Sequence, residues 1–248
     1  MSTIDRTLST GALRPAVTAQ RSALRGSRMT YSRLIGALFL SAMVLYGVGT
    51  ALVTSVLGAP DYLSTISSRQ TTLALGAFLM LLNSVAVVGL GVLFFPILER
   101  HDQRTALAYL AARIVEAVLL AIGALAVLMI LPLGQRAADA GEASAAWATV
   151  LGSLAIRSNT MSYQIAMLSL GLASVFLCSL LFRTRLIPRS LAVAGVIGYA
   201  IFLTGTIAEL FGSHIGLILS IPGGLFELAL GFWLLIKGFQ PAAYGQEA

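Results

Sequence analysis

The sequence predicts an all-α membrane protein, a bundle of six transmembrane helices with both termini in the cytoplasm. Of the residues, 58% are hydrophobic and only 10% are charged, and the mean hydropathy is +0.90. A soluble domain carries about 25% charged residues. Long uncharged runs recur along the chain, and basic residues concentrate at their ends. One membrane domain therefore accounts for the 248 residues better than a soluble core does.

The first segment of the chain is polar and basic. Residues 1–30 contain Ser, Thr, Ala, Arg and Gly without hydrophobic periodicity, which predicts a disordered basic cytoplasmic tail. The apolar run at 33–56 is longer than the roughly 7–15 residues of a signal-peptide core, so we expect an uncleaved first helix. The predicted organisation is this tail, a transmembrane domain over 31–239 and a short cytoplasmic tail over 240–248.

Five further apolar runs follow the first, each close to the ~20 residues that cross ~30 Å of hydrocarbon. They cover residues 72–98, 105–131, 161–182, 190–211 and 215–236. The longest connection lies at 132–160. Within it, residues 141–156 are predicted to form a short helix at the membrane interface with Trp147 as its anchor, and a re-entrant segment is the alternative.

The positions of the cations predict the orientation. The side that holds both termini is strongly basic, whereas the other side has only Arg69, Arg136 and Arg157. By the positive-inside rule, both termini are therefore cytoplasmic. The basic side carries Arg6, Arg14, Arg21, Arg25, Arg28, Arg33, Arg100, Arg104, Arg183, Arg185, Arg189 and Lys237.

The formal net charge of +6 and the pI near 10 do not indicate nucleic-acid binding. Aromatic residues are not interleaved with the arginines in a stacking pattern, and the arginines sit at the ends of apolar runs. Membrane lipids are the expected anionic partner. The sequence does not specify an oligomeric state.

Metal, cofactor and catalytic motifs are not found in the sequence. Cys178 is the single cysteine, which excludes an intramolecular disulfide and a cysteine-based zinc site. His101 and His214 fall on opposite faces of the predicted topology and cannot share a haem or metal. We found no phosphate-binding loop and no nucleophile elbow, so we expect no cofactor and do not favour an enzyme.

Three charged residues lie inside the predicted helices: Arg113, Glu116 and Glu227. A charge within hydrocarbon costs about 2.5–3.5 kcal/mol on insertion scales, so these side chains should face protein or water and pair with one another. By helix rise, Arg113 lies roughly 12 Å deep, Glu116 roughly 16 Å and Glu227 roughly 15 Å. The three can therefore meet, and we expect Arg113 to bridge Glu227 across the helix interface.

This cluster has two interpretations. It can be a ligand or proton site, with one carboxylate in excess, or it can only lock the register of the helices. Asn83 is either an interhelical hydrogen-bonding residue or a lining residue of the same cavity. Glu209 and His214 could share an outer mouth, although Glu209 also fits a solvated helix end.

Small residues occupy one face of each of the last two spans. Gly198 and Gly205 share a face of the fifth span, and Gly223 and Gly231 share a face of the sixth, which predicts close packing. Pro222 precedes Glu227 by five residues. A helix break there would free carbonyl groups beside a carboxylate, as in some transporter sites.

Three segments, "ARIVEAVLL", "LLFRTRLIPRSLAVAGVIGYA" and "GGLFELALGFWLLIKGF", resemble a bacterial family of membrane proteins known as domain of unknown function 4386. The likeness covers roughly residues 33–239, and the basic tail has no counterpart. It implies a bacterial inner-membrane protein without an established activity. The matching positions are Arg113 and Glu116 in the third span, Arg185, Pro188 and Arg189 in the loop after the fourth, and Glu227, Leu228, Leu230, Trp233 and Lys237 in the last.

Three functions are compatible with the sequence. The first is to bind or conduct a small or lipid-like ligand through an intramembrane cavity lined by Arg113, Glu116, Glu227 and Asn83. The second is that of a non-catalytic structural or regulatory subunit whose charged cluster only locks helix packing. The third is a membrane enzyme that acts on lipid, for which the sequence offers carboxylates but no metal motif.

Overall fold

The computed structural model of the chain describes residues 10–59, 62–139 and 142–240. These residues form helices and connecting turns, with no strand among them. Apolar side chains alone do not dictate a helix, but in hydrocarbon a helix is the structure that satisfies every backbone group within its own segment. The helices are α1 (Thr10–Leu57), α2 (Tyr62–Leu98), α3 (Gln103–Leu128), α4 (Ile130–Asp139), α5 (Glu142–Thr184), α6 (Arg189–Leu210) and α7 (Gly216–Ile236).

Within the described ranges, six helices are long and apolar enough to cross a membrane, as the sequence predicts. Each helix other than α4 contributes one span, and the span of α3 runs on into the first residues of α4, as far as Gly134. Because the number of spans is even, α1 starts and α7 finishes on the same side. We call that side the terminal end and the other the loop end. Which of the two faces the cytoplasm stays a prediction.

Two boundaries differ from those predicted. The backbone is already helical at Thr10. Residues 10–30, which were expected to belong to a disordered tail, therefore form the first part of α1. Residues 1–9 lie outside the described residues, as do 241–248 of the C-terminal tail. The short helix of the long connection is α4 at 130–139, and residues 142–156, most of the segment predicted as a separate helix, form the continuous start of α5. Apolar residues such as Val150 and Leu154 let α5 continue through the segment that was expected to be a separate helix.

The six spanning helices form a closed ring. Each packs against the next in the order α1, α2, α3, α5, α6, α7, and α7 packs back against α1. The short α4 continues from α3 and packs against α2 and α5. A ring of six helices leaves an interior to which every spanning helix can present one face.

Glycines let neighbouring helices approach closely. A Cβ added to Gly49 of α1 would lie 2.8 Å from the carbonyl oxygen of Gly76 in α2, and the reverse distance is also 2.8 Å. A Cβ on Gly36 of α1 would lie 2.6 Å from the carbonyl oxygen of Gly231 in α7. Real Cβ atoms do not approach so closely, so only glycine permits these backbone contacts.

The helix α7 runs unbroken through Pro222, so the helix break considered as an alternative before Glu227 is absent. The close packing predicted for the last two helices is present at this point instead. A Cβ on Gly198 of α6 would lie 2.9 Å from the carbonyl oxygen of Pro222. Contact with a neighbouring helix is one of the ways in which a membrane helix tolerates an internal proline.

Aromatic side chains fill the terminal end of the ring. The ring of Phe94 makes edge-to-face contacts with Phe39, Tyr109 and Phe239, at centroid distances of 6.1, 5.6 and 5.8 Å. The chain after α7 folds back over this end, because the backbone N–H of Phe239 donates to the Ser32 hydroxyl at 3.3 Å. We call these four aromatic residues the aromatic floor.

Candidate ligand site

A cavity of about 250 Å³ lies inside the ring, and all six spanning helices contribute to its wall. Four residues predicted from the sequence line it together: Arg113, Glu116, Glu227 and Asn83. The rest of the wall is mainly apolar. It comprises Phe39, Ala42, Met43, Tyr46, Gly47, Val87, Leu90, Leu120, Tyr163, Met167, Leu170, Tyr199, Phe202, Ser220, Gly223 and Gly224.

Hydrogen bonds to α5 fix the position of α3, the helix that carries Arg113 and Glu116. The hydroxyl of Ser169 donates to the carbonyl oxygen of Ala112 at 3.2 Å, and the hydroxyl of Ser162 donates to that of Leu119 at 2.5 Å. On the α2 side, Gly91 leaves room for the Arg113 side chain, because a Cβ at this position would lie 3.1 Å from the Cβ of Arg113.

Arg113 is buried, with 3% of its surface exposed. Its Nη1 donates to Oε2 of Glu116 at 2.9 Å and its Nε donates to the Tyr109 hydroxyl at 2.9 Å. The guanidinium carbon lies 5.1 Å from the ring centroid of Tyr109 and 5.7 Å from that of Phe39. Its Nη2 is buried and has no hydrogen-bond partner. A buried, unpaired N–H of a charged group is costly, so Arg113 is left with donor capacity that an acceptor could satisfy.

The predicted bridge between Arg113 and Glu227 is wrong. Arg113 pairs with Glu116, three residues later on the same helix, and this is the only ion pair within residues 29–59, 62–134 and 146–240. The physical reason is proximity, since positions three apart on a helix are neighbours and no interhelical reach is needed. Glu116 is as buried as its partner.

Glu227 is held by a different kind of contact. The Tyr199 hydroxyl of α6 donates to its Oε1 at 2.5 Å. In the part of the chain that the structure describes, no cation pairs with this carboxylate. The excess carboxyl group expected from the sequence is therefore Glu227, which lies on the cavity wall opposite an arginine with a free donor.

Two tyrosines stack across the ring on the loop side of the charged residues. Tyr46 of α1 and Tyr163 of α5 have ring centroids 5.4 Å apart and an interplanar angle of 14°. The helices α1 and α5 are not neighbours in the ring, so this stack bridges the interior, and both residues line the cavity. We call the pair the tyrosine roof.

The comparisons with known proteins identify a family. The family model described as "Domain of unknown function (DUF4386)" matches residues 34–238. The chain belongs to the DUF4386 family. No curated protein and no solved structure matches it. The resemblance noted from three segments is thereby confirmed, and the matched region of this DUF4386 chain includes every residue that lines the cavity.

The residues proposed for an outer mouth of the DUF4386 chain are not part of the cavity wall. Glu209 is near the last turn of α6 and His214 is exposed in the turn before α7, both at the loop end. The carboxylate of Glu209 packs against Gly216, and neither Glu209 nor His214 lines the described cavity. A role for them in ligand entry stays a prediction.

Two residues that hydrogen-bond to the charged side chains of the site were not predicted from the sequence, Tyr199 and Tyr109. Both are at most 2% exposed, and each hydrogen-bonds to a charged group in the membrane. The signal that could have identified Tyr109 is its position four residues before Arg113, on the same helix face. Tyr199 carries no such signal, because its partner is on another helix.

The DUF4386 site contains no set of metal ligands. Within residues 29–59, 62–134 and 146–240, no three His, Cys, Asp or Glu side chains come together in a way that could hold a metal ion. The chemistry that this arrangement offers is hydrogen bonding and charge pairing with the polar end of a molecule whose remainder is apolar.

Proposed function

We propose that this DUF4386 protein binds a small amphipathic ligand in the cavity at the centre of its ring of helices. The observation that carries the proposal is the unpartnered Nη2 of Arg113, buried in the wall of the same cavity as Glu227, a carboxylate without a cation. The polar end of the ligand would accept a hydrogen bond from Arg113 and donate one to Glu227. A protonated carboxyl group or a primary amide offers both functions.

The apolar part of the cavity wall favours a ligand whose remainder, beyond its polar end, is apolar. Met43, Met167, Leu170 and Phe202 surround the charged residues, and methionine side chains adapt to different shapes. The cavity is slightly smaller than the roughly 300–1,000 Å³ typical of ligand pockets. A small molecule, or one end of a longer molecule, fits this volume.

The structure weakens the alternative that the cluster only locks the helices. An ion pair within one helix, as between Arg113 and Glu116, does not hold α3 against α7. A lock would use the arginine to join two helices and would leave no donor unsatisfied.

The test is a binding assay on the purified full chain in detergent micelles. The probes are a medium-chain fatty acid, its primary amide and its primary amine, with the matching alkane as the control. We expect the acid and the amide to bind by native mass spectrometry and to raise the melting temperature, because a ligand that binds only the folded state stabilises it. The amine offers Arg113 no acceptor when protonated and should bind more weakly.

The matched variants are Asn83→Leu, which changes the cavity wall, and Phe232→Leu, which changes an exposed side chain of α7. We expect weaker binding in Asn83→Leu and unchanged binding in Phe232→Leu. Equal binding of all probes, or equal binding to both variants, would overturn the proposal.

We also propose that the protein lies in the bacterial inner membrane with both termini in the cytoplasm. The support is the concentration of arginines at the terminal end, which the positive-inside rule associates with the cytoplasm. Fusing alkaline phosphatase, which is active only outside the cytoplasm, to the C-terminus should give an inactive reporter. An active fusion would show the opposite orientation.

A further inference from the structure

We propose that the ligand is a single-chain lipid amphiphile that enters the cavity sideways, from the membrane, through an opening between α1 and α7. This inference rests on the proposed function and adds the route and the class of ligand. We call the opening the α1–α7 portal and define it by Gly47 of α1 and Gly224 of α7.

The two ends of the cavity are obstructed by aromatic side chains. The aromatic floor lies toward the terminal end, and one of its members, Phe39, lines the cavity. The tyrosine roof crosses the ring toward the loop end. A ligand that came from either aqueous face would have to pass one of these aromatic groups.

The line of contact between α1 and α7, which we call the seam, is tightly packed in the terminal half and has open space further along. In the terminal half the backbones touch at Gly36 and Gly231. Further along, Gly47 and Gly224 both line the cavity, and a Cβ added to either would meet no atom within 4 Å. Glycines at the other seams behave differently, as at Gly49 and Gly76 between α1 and α2.

The open part of the seam lies at the depth of the hydrocarbon. Gly47 is about 21 Å along α1 from Arg33, and Gly224 is about 18 Å along α7 from the last residue of that helix. Both distances fall within the ~30 Å core of a bilayer. Exposed apolar side chains flank the seam, including Val48 at 47%, Ile221 at 54% and Leu225 at 60%. Lipid chains rather than water surround such an opening.

Two further observations indicate an amphiphile. The Nη2 of Arg113 is buried without a partner on a side chain that lines the cavity and is 3% exposed, so an acceptor that reached it would satisfy this donor. The cavity is too small for a whole lipid, so a chain attached to that polar group must extend outward, and the α1–α7 portal offers it a path into the membrane.

The experiment uses the full chain in vesicles of phosphatidylethanolamine and phosphatidylglycerol, with a photoactivatable long-chain fatty acid as the probe. Light-induced labelling of Met167 and Leu170, read by mass spectrometry, reports occupancy of the cavity. We expect Gly47→Leu with Gly224→Leu to slow the appearance of this labelling about tenfold while its final extent is retained. The controls, Ser41→Leu on α1 and Ala229→Leu on α7, place the same leucine side chains at exposed positions outside the cavity wall and should leave the rate unchanged.

A second arm protects the test against misfolding of the leucine variants. Gly47→Cys is folded first and then alkylated with a bulky maleimide, which should spare the native Cys178 because that thiol is fully buried. Alkylation should slow cavity labelling as the leucines do.

The outcomes separate the portal from the proposed function. If the cavity of the wild type is labelled, and the leucine and alkylated variants are labelled at the same rate, the portal is overturned and the binding site is kept. A reduced final extent without a slower rate would show that the new side chains occupy the site, and would also overturn the portal. No cavity labelling in the wild type would overturn the proposed function itself.

Discussion

The two sides of the cavity hold their carboxylates in different ways. On the α3 side, Glu116 pairs with Arg113 of the same helix, and both are 3% exposed. On the α7 side, Glu227 receives only the Tyr199 hydroxyl of α6. The difference is that Glu116 compensates a buried charge, whereas Glu227 has no cation partner among the described residues, and our proposal assigns Glu227 to the ligand. The predictions below test this division of roles.

The largest effect is expected from Arg113→Met. This change strands the buried carboxylate of Glu116, and removing one partner of a buried ion pair costs about 3–5 kcal/mol of folding free energy. Unfolding by denaturing detergent in micelles measures the loss. The double variant Arg113→Met with Glu116→Gln removes both charges and should recover most of it. A double variant as unstable as the single one would show that Glu116 is not the partner that matters.

The carboxamide variants should differ from each other. Glu116→Gln removes the charge that Arg113 pairs with and should cost about 1.5–3 kcal/mol, the contribution of a hydrogen bond to a charged group. Glu227→Gln keeps an oxygen for the Tyr199 hydroxyl and should cost less than about 1 kcal/mol. The same unfolding assay compares them. Equal losses would mean that the two carboxylates have the same structural role.

Tyr199→Phe sharpens the comparison on the α7 side. It removes one hydrogen bond between α6 and α7 without changing the shape of the ring, so we expect a loss of about 1 kcal/mol. Ligand binding should also change, because Glu227 then lacks its fixed donor. Tyr31→Phe, at a tyrosine of α1 whose hydroxyl donates to the carbonyl oxygen of Leu93, is the matched control outside the cavity wall. It should leave binding intact, and an equal change in both variants would contradict the assignment.

The smallest effect is expected at a carboxylate outside the membrane, Asp102. Its side chain caps α3 by accepting from the Thr105 hydroxyl at 2.6 Å and from the Arg104 N–H at 3.0 Å. These hydrogen bonds hold the pKa of Asp102 below its usual range, the one to Thr105 most strongly. The stabilisation is therefore present above the pKa of the unfolded state and is lost as the pH falls through the lower, folded-state value.

Asp102→Asn should retain part of the cap and remove this pH dependence, with only a small change in melting temperature at neutral pH. Melting curves of both proteins between neutral and acidic pH provide the measurement. An equal acid-induced decrease in the two proteins would show that the cap does not contribute to it.

The six spans and the charged residues of the site could be predicted from the sequence, but the pairing of those residues could not. The six apolar runs gave the six spans, and the rarity of charges within them identified Arg113, Glu116 and Glu227 as residues of one cavity. The partner of Arg113 was not predicted correctly, because similar depth on two helices does not fix which side chains face each other. The start of α5 was placed too late, since residues 141–156 with Trp147 were taken as a separate interfacial helix or a re-entrant segment.

The sequence by itself determined that the chain has six segments long and apolar enough to cross a membrane and that a few charges lie at similar depth along them. Hydropathy and the rise of a helix are local properties, so they can be followed along the chain. Only the tertiary structure decided which helices are neighbours, that the ring closes between α7 and α1, and that Gly47 and Gly224 on these two helices have open space where a Cβ would lie. In a membrane, the faces of a helix toward lipid and toward protein are both apolar, so hydrophobic periodicity does not fix the rotation of a helix, and shape and small residues decide it instead.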